Sequence, residues 1–270
     1  MVCHCYSLIG KREANEDKHK FIENMDNKYG NNNINFYAVY DGHGGKDVST
    51  FLEKELHKYF LLPNINTNNL VLFKKHIKNV YNHIENKLDI QFRNKSYNVG
   101  STALVIIMSK DKLNNINLYI INLGDCRAIL CNRNLKAIPL SKDHKPNTHD
   151  ERKRISKLGG KVYWDGYDWR VETLSVSRSF GDIDSKPYIS HIPEIFRLKL
   201  NKQDKFIVLA CDGLWDVMNN QEVVNFVLSN IPSKLQNNTN NNNTNIAKKL
   251  AEHAIKKGST DNVSVVIKLL

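Results

Sequence analysis

The sequence predicts an α+β fold in which antiparallel sheets are covered by helices. Three observations carry that reading. Strand-like and helix-like segments intermix without a regular strand–helix alternation, which disfavours doubly wound and barrel folds. The 270 residues, 41% of them hydrophobic, build one large domain more readily than two small ones. Four aspartates, Asp41, Asp125, Asp212 and Asp261, each stand at the edge of an apolar run, so strand-like segments deliver carboxylates to turns.

Residues 3–9 and 34–40 are rich in aromatic and β-branched residues and read as strands, with an Asn-rich turn at 31–33 between them. Residues 46–60 read as helical. So do residues 69–94, where Leu70, Phe73, Ile77, Val80, Ile84 and Leu88 recur at helical spacing. The apolar run 102–108 fits a buried strand, and 116–122, 127–131 and 135–140 continue a meander with Asn-containing turns. Residues 148–158 form a charged helix that Gly159-Gly160 terminates. Two more strands follow at 206–211 and 263–269, separated by helices near 220–230 and 245–257. The Asn- and Thr-rich stretch near 236–245 cannot bury a core. It is expected to be a disordered surface loop inside a single domain, 1–270.

No apolar run is long enough to span a bilayer, so stable membrane insertion is not expected. The start, Met1-Val2-Cys3-His4-Cys5, lacks the basic and apolar stretches of a secretion signal. Five cysteines without a Cys-x-x-Cys pair argue against a disulfide framework and a zinc site, and Cys3 and Cys5 read as ordinary thiols near a strand. An intracellular, reducing location is expected, cytoplasmic and nuclear. The formal net charge of +11 raises the question of nucleic-acid binding. The lysines are spread through the chain, however, with no basic stripe interleaved with aromatics, so no nucleic-acid partner is expected. A positive field still favours acidic or phosphorylated partners at low salt.

The aspartates carry the chemistry. A buried carboxylate is costly unless it is paired or bound to a cation. Several from distant points suggest convergence on hard cations such as magnesium or manganese. Two such ions can bind a phosphate and sharpen a water for attack on it. In Asp41-Gly42-His43-Gly44-Gly45, a carboxylate and a bare backbone carbonyl offer two hard oxygen donors, and His43 is placed to protonate a leaving alkoxide. In Gly10-Lys11-Arg12-Glu13-Ala14-Asn15-Glu16-Asp17, Arg12 can grip phosphate by two prongs, and Glu16 and Asp17 can bind metal directly or through water. Asp212-Gly213 reads as a turn after a strand, and Trp215 as a core residue. Asp216 is either a further ligand or the cap of the following helix. Asp261 is either a turn residue or a ligand.

Taken together and in order, these blocks resemble the metal-dependent type-2C (PPM) protein phosphatases. The matching pieces are Arg12-x-x-Asn15-Glu16-Asp17, Tyr40-Asp41-Gly42-His43-Gly44-Gly45, Gly100-Ser101-Thr102-Ala103, Gly124-Asp125-Cys126-Arg127, Asp143-His144-Lys145-Pro146, Ser175 to Asp182, Ala210 to Asp216 and Ser259-Thr260-Asp261-Asn262. They run across nearly the whole chain. The resemblance implies a four-layer α-β-β-α sandwich with a two-metal cleft at one end, holding Mn²⁺ or Mg²⁺. It implies that Asp41 bridges both ions, that Asp212 and Asp261 bind the first, and that Glu16 and the Gly42 carbonyl bind the second. Arg12 resembles the phosphate anchor and His43 the general acid. Asp125 and Asp216, with Asp212, resemble a weaker third-metal site, and Asn262 a residue that orients Asp261. The implied reaction is hydrolysis of phosphoserine and phosphothreonine in phosphoproteins by direct attack of metal-activated water, with the enzyme a monomer.

Some positions depart from the family pattern. Cys126 stands where serine is usual, which invites oxidation beside Asp125. The stretch 161–174 is compact, and no regulatory or targeting module is expected at either end. A catalytically dead relative would have lost its metal aspartates or its arginine, and this chain keeps Asp41, Asp212, Asp261, Glu16 and Arg12.

Overall fold

The computed structural model describes residues 2–25, 34–60, 69–92, 98–111, 113–231 and 245–270. Two five-stranded antiparallel sheets stack face to face. The first runs Cys3–Leu8, Val263–Leu269, Phe206–Ala210, Arg127–Cys131 and Ala137–Pro139. The second runs Glu194–Lys199, Ile116–Leu123, Ala103–Lys110, Ile34–Tyr40 and Lys18–Ile22.

Alternation along the strands explains the layering. In Ile34–Tyr40, Tyr37 and Val39 point between the sheets, where they meet Leu104, Ile106, Leu130, Ile207, Leu209 and Val266. Phe36, Ala38 and Tyr40 point outward, onto helices α1 (Asp47–Glu55) and α2 (Leu70–Phe92). The expected periodic face of α2 is the one that packs: Phe73, Ile77, Val80, Ile84 and Leu88 are all buried. Each such side chain contributes about 1.5–3 kcal/mol by leaving water.

Helix α3 (His149–Lys157) stands apart from both sheets and ends at Gly159-Gly160 as expected. On the far face of the first sheet, Ile129, Val208 and Val265 pack under α5 (Asn220–Asn230) and α6 (Ile246–Lys256). The order is therefore helix, sheet, sheet, helix. Asn219 starts α5 by accepting from the backbone of Gln221 and Glu222, while Glu222 reaches back to the Asn219 N–H.

Several expectations change. The meander expected from 116 to 140 is broken, because Ile116–Leu123 belongs to the second sheet and Arg127–Cys131 to the first. The chain crosses between layers at 124–126, where His144 Nδ1 accepts from Gly124 N at 3.1 Å and the buried Cys126 packs between the sheets. Asp212 does not sit in a turn. It opens a one-turn helix, α4 (Asp212–Trp215), and Trp215 is buried in the core with Nε1 donating to the Ala210 carbonyl. Asp216 does not cap the next helix, a task that falls to Asn219. The compact stretch 161–174 forms a two-stranded hairpin, Val162–Trp164 with Trp169–Val171. The expected turn at 31–33 and the Asn-rich loop as far as residue 244 lie outside the described residues.

Candidate active site

Antiparallel register brings the ends of distant strands to one rim of the sandwich. Ile34–Tyr40 ends at Asp41, Ile116–Leu123 ends before Asp125, Phe206–Ala210 ends before Asp212, and Val263–Leu269 begins just after Asp261. Pairing of Val39 with Leu104, of Ala103 with Leu123 and of Ala210 with Val265 sets these ends side by side. They border a cleft of about 530 Å³ that is also lined by Arg12, Glu16, Gly42 and His43.

Carboxylate oxygens of Asp41, Asp125 and Asp212 all lie within 4.8 Å of one another. Thr102 fixes the first of these. Its hydroxyl accepts from Asp41 N at 3.0 Å and its own N–H donates to the Asp41 carbonyl at 2.9 Å. Burial pushes the Asp41 carboxyl well above the usual range, and the charges of Asp17, Asp212 and Asp125 add to it. Burial likewise drives Asp212 up to about 8, with help from Asp125 and against Lys145. These groups repel, and a cation that joins them relieves the repulsion. Gly42 must be glycine, because a Cβ there would lie 2.4 Å from the Glu16 carbonyl and 2.8 Å from Ser49 Oγ.

A second group joins Asp17, Asp41 and Cys211, again with ligand atoms within 4.8 Å. From the sequence, Asp17 is able to bind metal beside Glu16, while the resemblance assigns a role to Glu16 alone. Asp17 is almost wholly buried, and its Oδ2 has no hydrogen-bond partner. Burial raises it to about 6 against the pull of Ser264 and Cys211. Glu16 is half-buried and borders the cleft without joining either group, so Asp17 sits deeper than Glu16. The signal for Asp17 in the sequence is the Arg12-x-x-Asn15-Glu16-Asp17 block.

The remaining expected residues fall as follows. Asp261 lies on the cleft wall, 2.7 Å from Arg12 Nη2, so the expected anchor and the expected ligand meet each other. Asn262 does more for the loop before it than for Asp261. Its side chain accepts from Glu16 N and donates to the carbonyls of Ile9 and Ala14, while its backbone N–H holds Asp261 Oδ1 at 2.7 Å. Asp216 is exposed and outside both acidic groups. Lys145, a residue given no role in advance, puts its ammonium 2.5 Å from Asp125 and 3.6 Å from Asp212. His43 bonds to the buried Asp182; burial lowers the imidazole, but the charge and hydrogen bond of Asp182, with the charges of Asp125 and Glu16, together lift it above its ordinary value. Cys126 is fully buried against Thr102, and burial keeps its thiol protonated, which works against the oxidation expected of it.

A two-sheet sandwich with buried, mutually repelling carboxylates at one rim and an arginine at the mouth defines a class: a metal-binding hydrolytic cleft. Comparison with known proteins gives the family. The protein phosphatase 2C family model matches residues 5–263. A PP2C-like domain-containing protein of Acanthamoeba polyphaga mimivirus is 48% identical over 167 residues, covering 56% of this chain and 93% of that protein. "Probable protein phosphatase 2C 7" of Oryza sativa subsp. japonica is 36% identical over the whole chain, which spans 66% of that relative's length. Among solved structures, a C. elegans sex determining protein superposes with a TM-score of 0.82 at 25% identity, over 99% of this chain and 64% of the other. The fold is also that of a Toxoplasma gondii serine-threonine phosphatase 2C, with a TM-score of 0.78 at 22% identity over 99% and 94% of the two chains. The chain belongs to the protein phosphatase 2C family of metal-dependent phosphoprotein phosphatases. No helix among the described residues is long and apolar enough to cross a membrane.

Proposed function

We propose that this chain is an active phosphoserine and phosphothreonine phosphatase that works with two dications, Mn²⁺ or Mg²⁺. The observation that carries this reading is the convergence of Asp41, Asp125 and Asp212 within 4.8 Å, three carboxylates that repel one another with Lys145 as their neighbouring cation. The donor set fits such ions, because it is rich in hard oxygens and one buried oxygen, Asp17 Oδ2, is left without a partner. Asp41, which belongs to both acidic groups, would be the carboxylate shared by the two ions. Asp212 and Asp261 would hold the first ion, and the Gly42 carbonyl, Glu16 and Asp17 would hold the second. Asp125 and Asp216, with Asp212, would hold a weaker third ion at a position that Lys145 borders.

When bound, the ions supply the acidity that makes water a nucleophile at neutral pH and offset charge on the phosphate oxygens. The protein's own groups do the rest. Arg12, on the exposed lip of the cleft, turns from Asp261 to the substrate phosphate and binds it by two N–H groups. Thr102 keeps the Asp41 carboxylate aimed inward. His43 hands a proton to the departing serine or threonine oxygen. The working unit is one domain acting as a monomer on intracellular phosphoproteins, in the cytoplasm and nucleus. A phosphopeptide release assay tests the reading: EDTA stops phosphate release and Mn²⁺ or Mg²⁺ restores it. Full activity after rigorous metal removal contradicts it.

A further inference from the structure

His43 is held from behind. Its Nε2 lies 2.8 and 3.0 Å from the two carboxylate oxygens of Asp182. A small three-stranded sheet makes the contact. Gly42–His43 pairs with Gly100–Ser101, which pairs in turn with Phe180–Gly181. His43 and Gly181 therefore both stand opposite Gly100, and Asp182 follows Gly181 at once. The ring and the carboxylate meet over the missing side chain of Gly100. A Cβ there would lie 2.2 Å from Asp182 Oδ2 and 2.4 Å from His43 Nε2.

Asp182 has little freedom. It is fully buried and takes a left-handed backbone, with φ of 49°. Its N–H donates to the Val99 carbonyl at 3.1 Å, and Ser179 Oγ donates to its Oδ2. The preceding residue is pinned as well, because Gly181 N donates to Glu85 Oε2 at 3.1 Å and Glu85 pairs with Lys186 at 2.8 Å. A residue in so strained and buried a setting is held there by its surroundings, and its carboxylate faces one ring nitrogen of the residue assigned as proton donor. Among the described residues, Nδ1 of His43 has no hydrogen-bond partner, and the residue lines the cleft.

We propose that Asp182 is the positioning residue for His43. It holds Nε2–H inward, so that Nδ1 is the nitrogen that serves the substrate. The bond made by one imidazole nitrogen sets the role of the other. As the bond from phosphorus to the serine Oγ breaks, that oxygen takes the Nδ1 proton of the imidazolium, leaving a neutral ring whose other proton stays on Nε2, hydrogen-bonded to Asp182. The oxygen of the attacking water ends on phosphorus, its proton leaves to solvent, and Nδ1 regains a proton from solvent. This inference rests on the general-acid reading of His43 given above.

Two measurements test it. In ¹⁵N-histidine NMR of the Mg²⁺-loaded wild-type protein, neutral His43 shows a protonated Nε2 and a bare Nδ1. A neutral ring protonated on Nδ1 overturns the proposal, whatever any variant does. In steady-state kinetics, Asp182→Asn lowers kcat on a phosphoserine peptide by about 10–100-fold with KM little changed, while an aryl phosphate, whose leaving group needs no proton, changes less than about threefold. Equal losses on the two substrates overturn the positioning role. His43→Ala, run beside it, separates the two readings. If His43→Ala itself spares neither substrate, the general-acid assignment fails. If His43→Ala is selective and Asp182→Asn is not, only the role of Asp182 fails.

Discussion

Two buried carboxylate sites in this molecule have opposite characters. Under the hairpin, Glu151 on helix α3 is almost wholly buried, yet Arg154 and Arg178 both reach it, at 2.8 and 2.5 Å. Burial raises its carboxyl, but the two guanidinium groups outweigh burial and bring it down to about 2. At the rim, burial raises Asp41 and its neighbours Asp17, Asp212 and Asp125 raise it further. Burial acts the same way at both places, so the partners decide the sign. The Glu151 cluster is complete within the chain and holds the segment around Ser177, whose carbonyl also accepts from Arg154. The rim keeps mutually repelling carboxylates beside Lys145, and a cation there would relieve that repulsion.

The sharpest way to break this contrast is to neutralise each site in turn. Asp41→Asn removes a charge from a group that already has too many. Phosphopeptide turnover falls on the order of 10³-fold or more, since the group proposed to be shared by both ions is lost. The metal-free fold nevertheless gains about 1 kcal/mol, a rise of about 2–4 °C in Tm, seen by thermal unfolding in EDTA. Glu151→Gln goes the other way. It strands two arginines and costs about 2–4 kcal/mol, so Tm falls by about 5–10 °C while the acidic rim is untouched. A Tm change of the same sign in both variants contradicts the contrast.

The pH dependence of Glu151 sharpens the same point. Its folded value of about 2 lies below the ordinary 4.5, so its contribution is fully present above pH 4.5 and is lost as pH falls toward 2. The gap in stability between wild type and Glu151→Gln therefore closes across that window, as denaturant titrations at stepped pH will measure. A gap that stays constant from pH 6 to pH 2.5 removes the ion-pair explanation.

The strands and helices that were legible in the sequence are those with a clean apolar period. Ile34–Tyr40, Phe206–Ala210, Val263–Leu269 and α2 all bury full faces. Two of the strands that escaped reading, Lys18–Ile22 and Glu194–Lys199, are the two edges of the second sheet. Edge strands carry charge, which blurs the alternation that betrays a strand. The site divides in a similar way. Asp41, Asp125 and Asp212 announce themselves at the ends of apolar runs. Asp17, Lys145 and Asp182 lie in blocks that match the family, but their partners Cys211, Asp125 and His43 come from other segments of the chain, and no local pattern records those contacts.

A smaller effect concerns Lys145, whose ammonium lies against Asp125 and Asp212 where a third ion would come. Lys145→Ala opens that position. The number of Mn²⁺ ions bound per chain rises from two toward three, with a change in turnover of only a few fold, as equilibrium dialysis and parallel assays will report. An unchanged metal count means that Lys145 does not compete there.

The account as a whole turns on the rim being a cation site, and isothermal titration of Mn²⁺ into EDTA-stripped protein tests that most directly. It predicts saturable uptake of two ions by the wild type, with the heat lost or sharply weakened in Asp41→Asn. Wild-type protein that takes up no Mn²⁺, or an Asp41→Asn variant that takes it up just as well, contradicts the account.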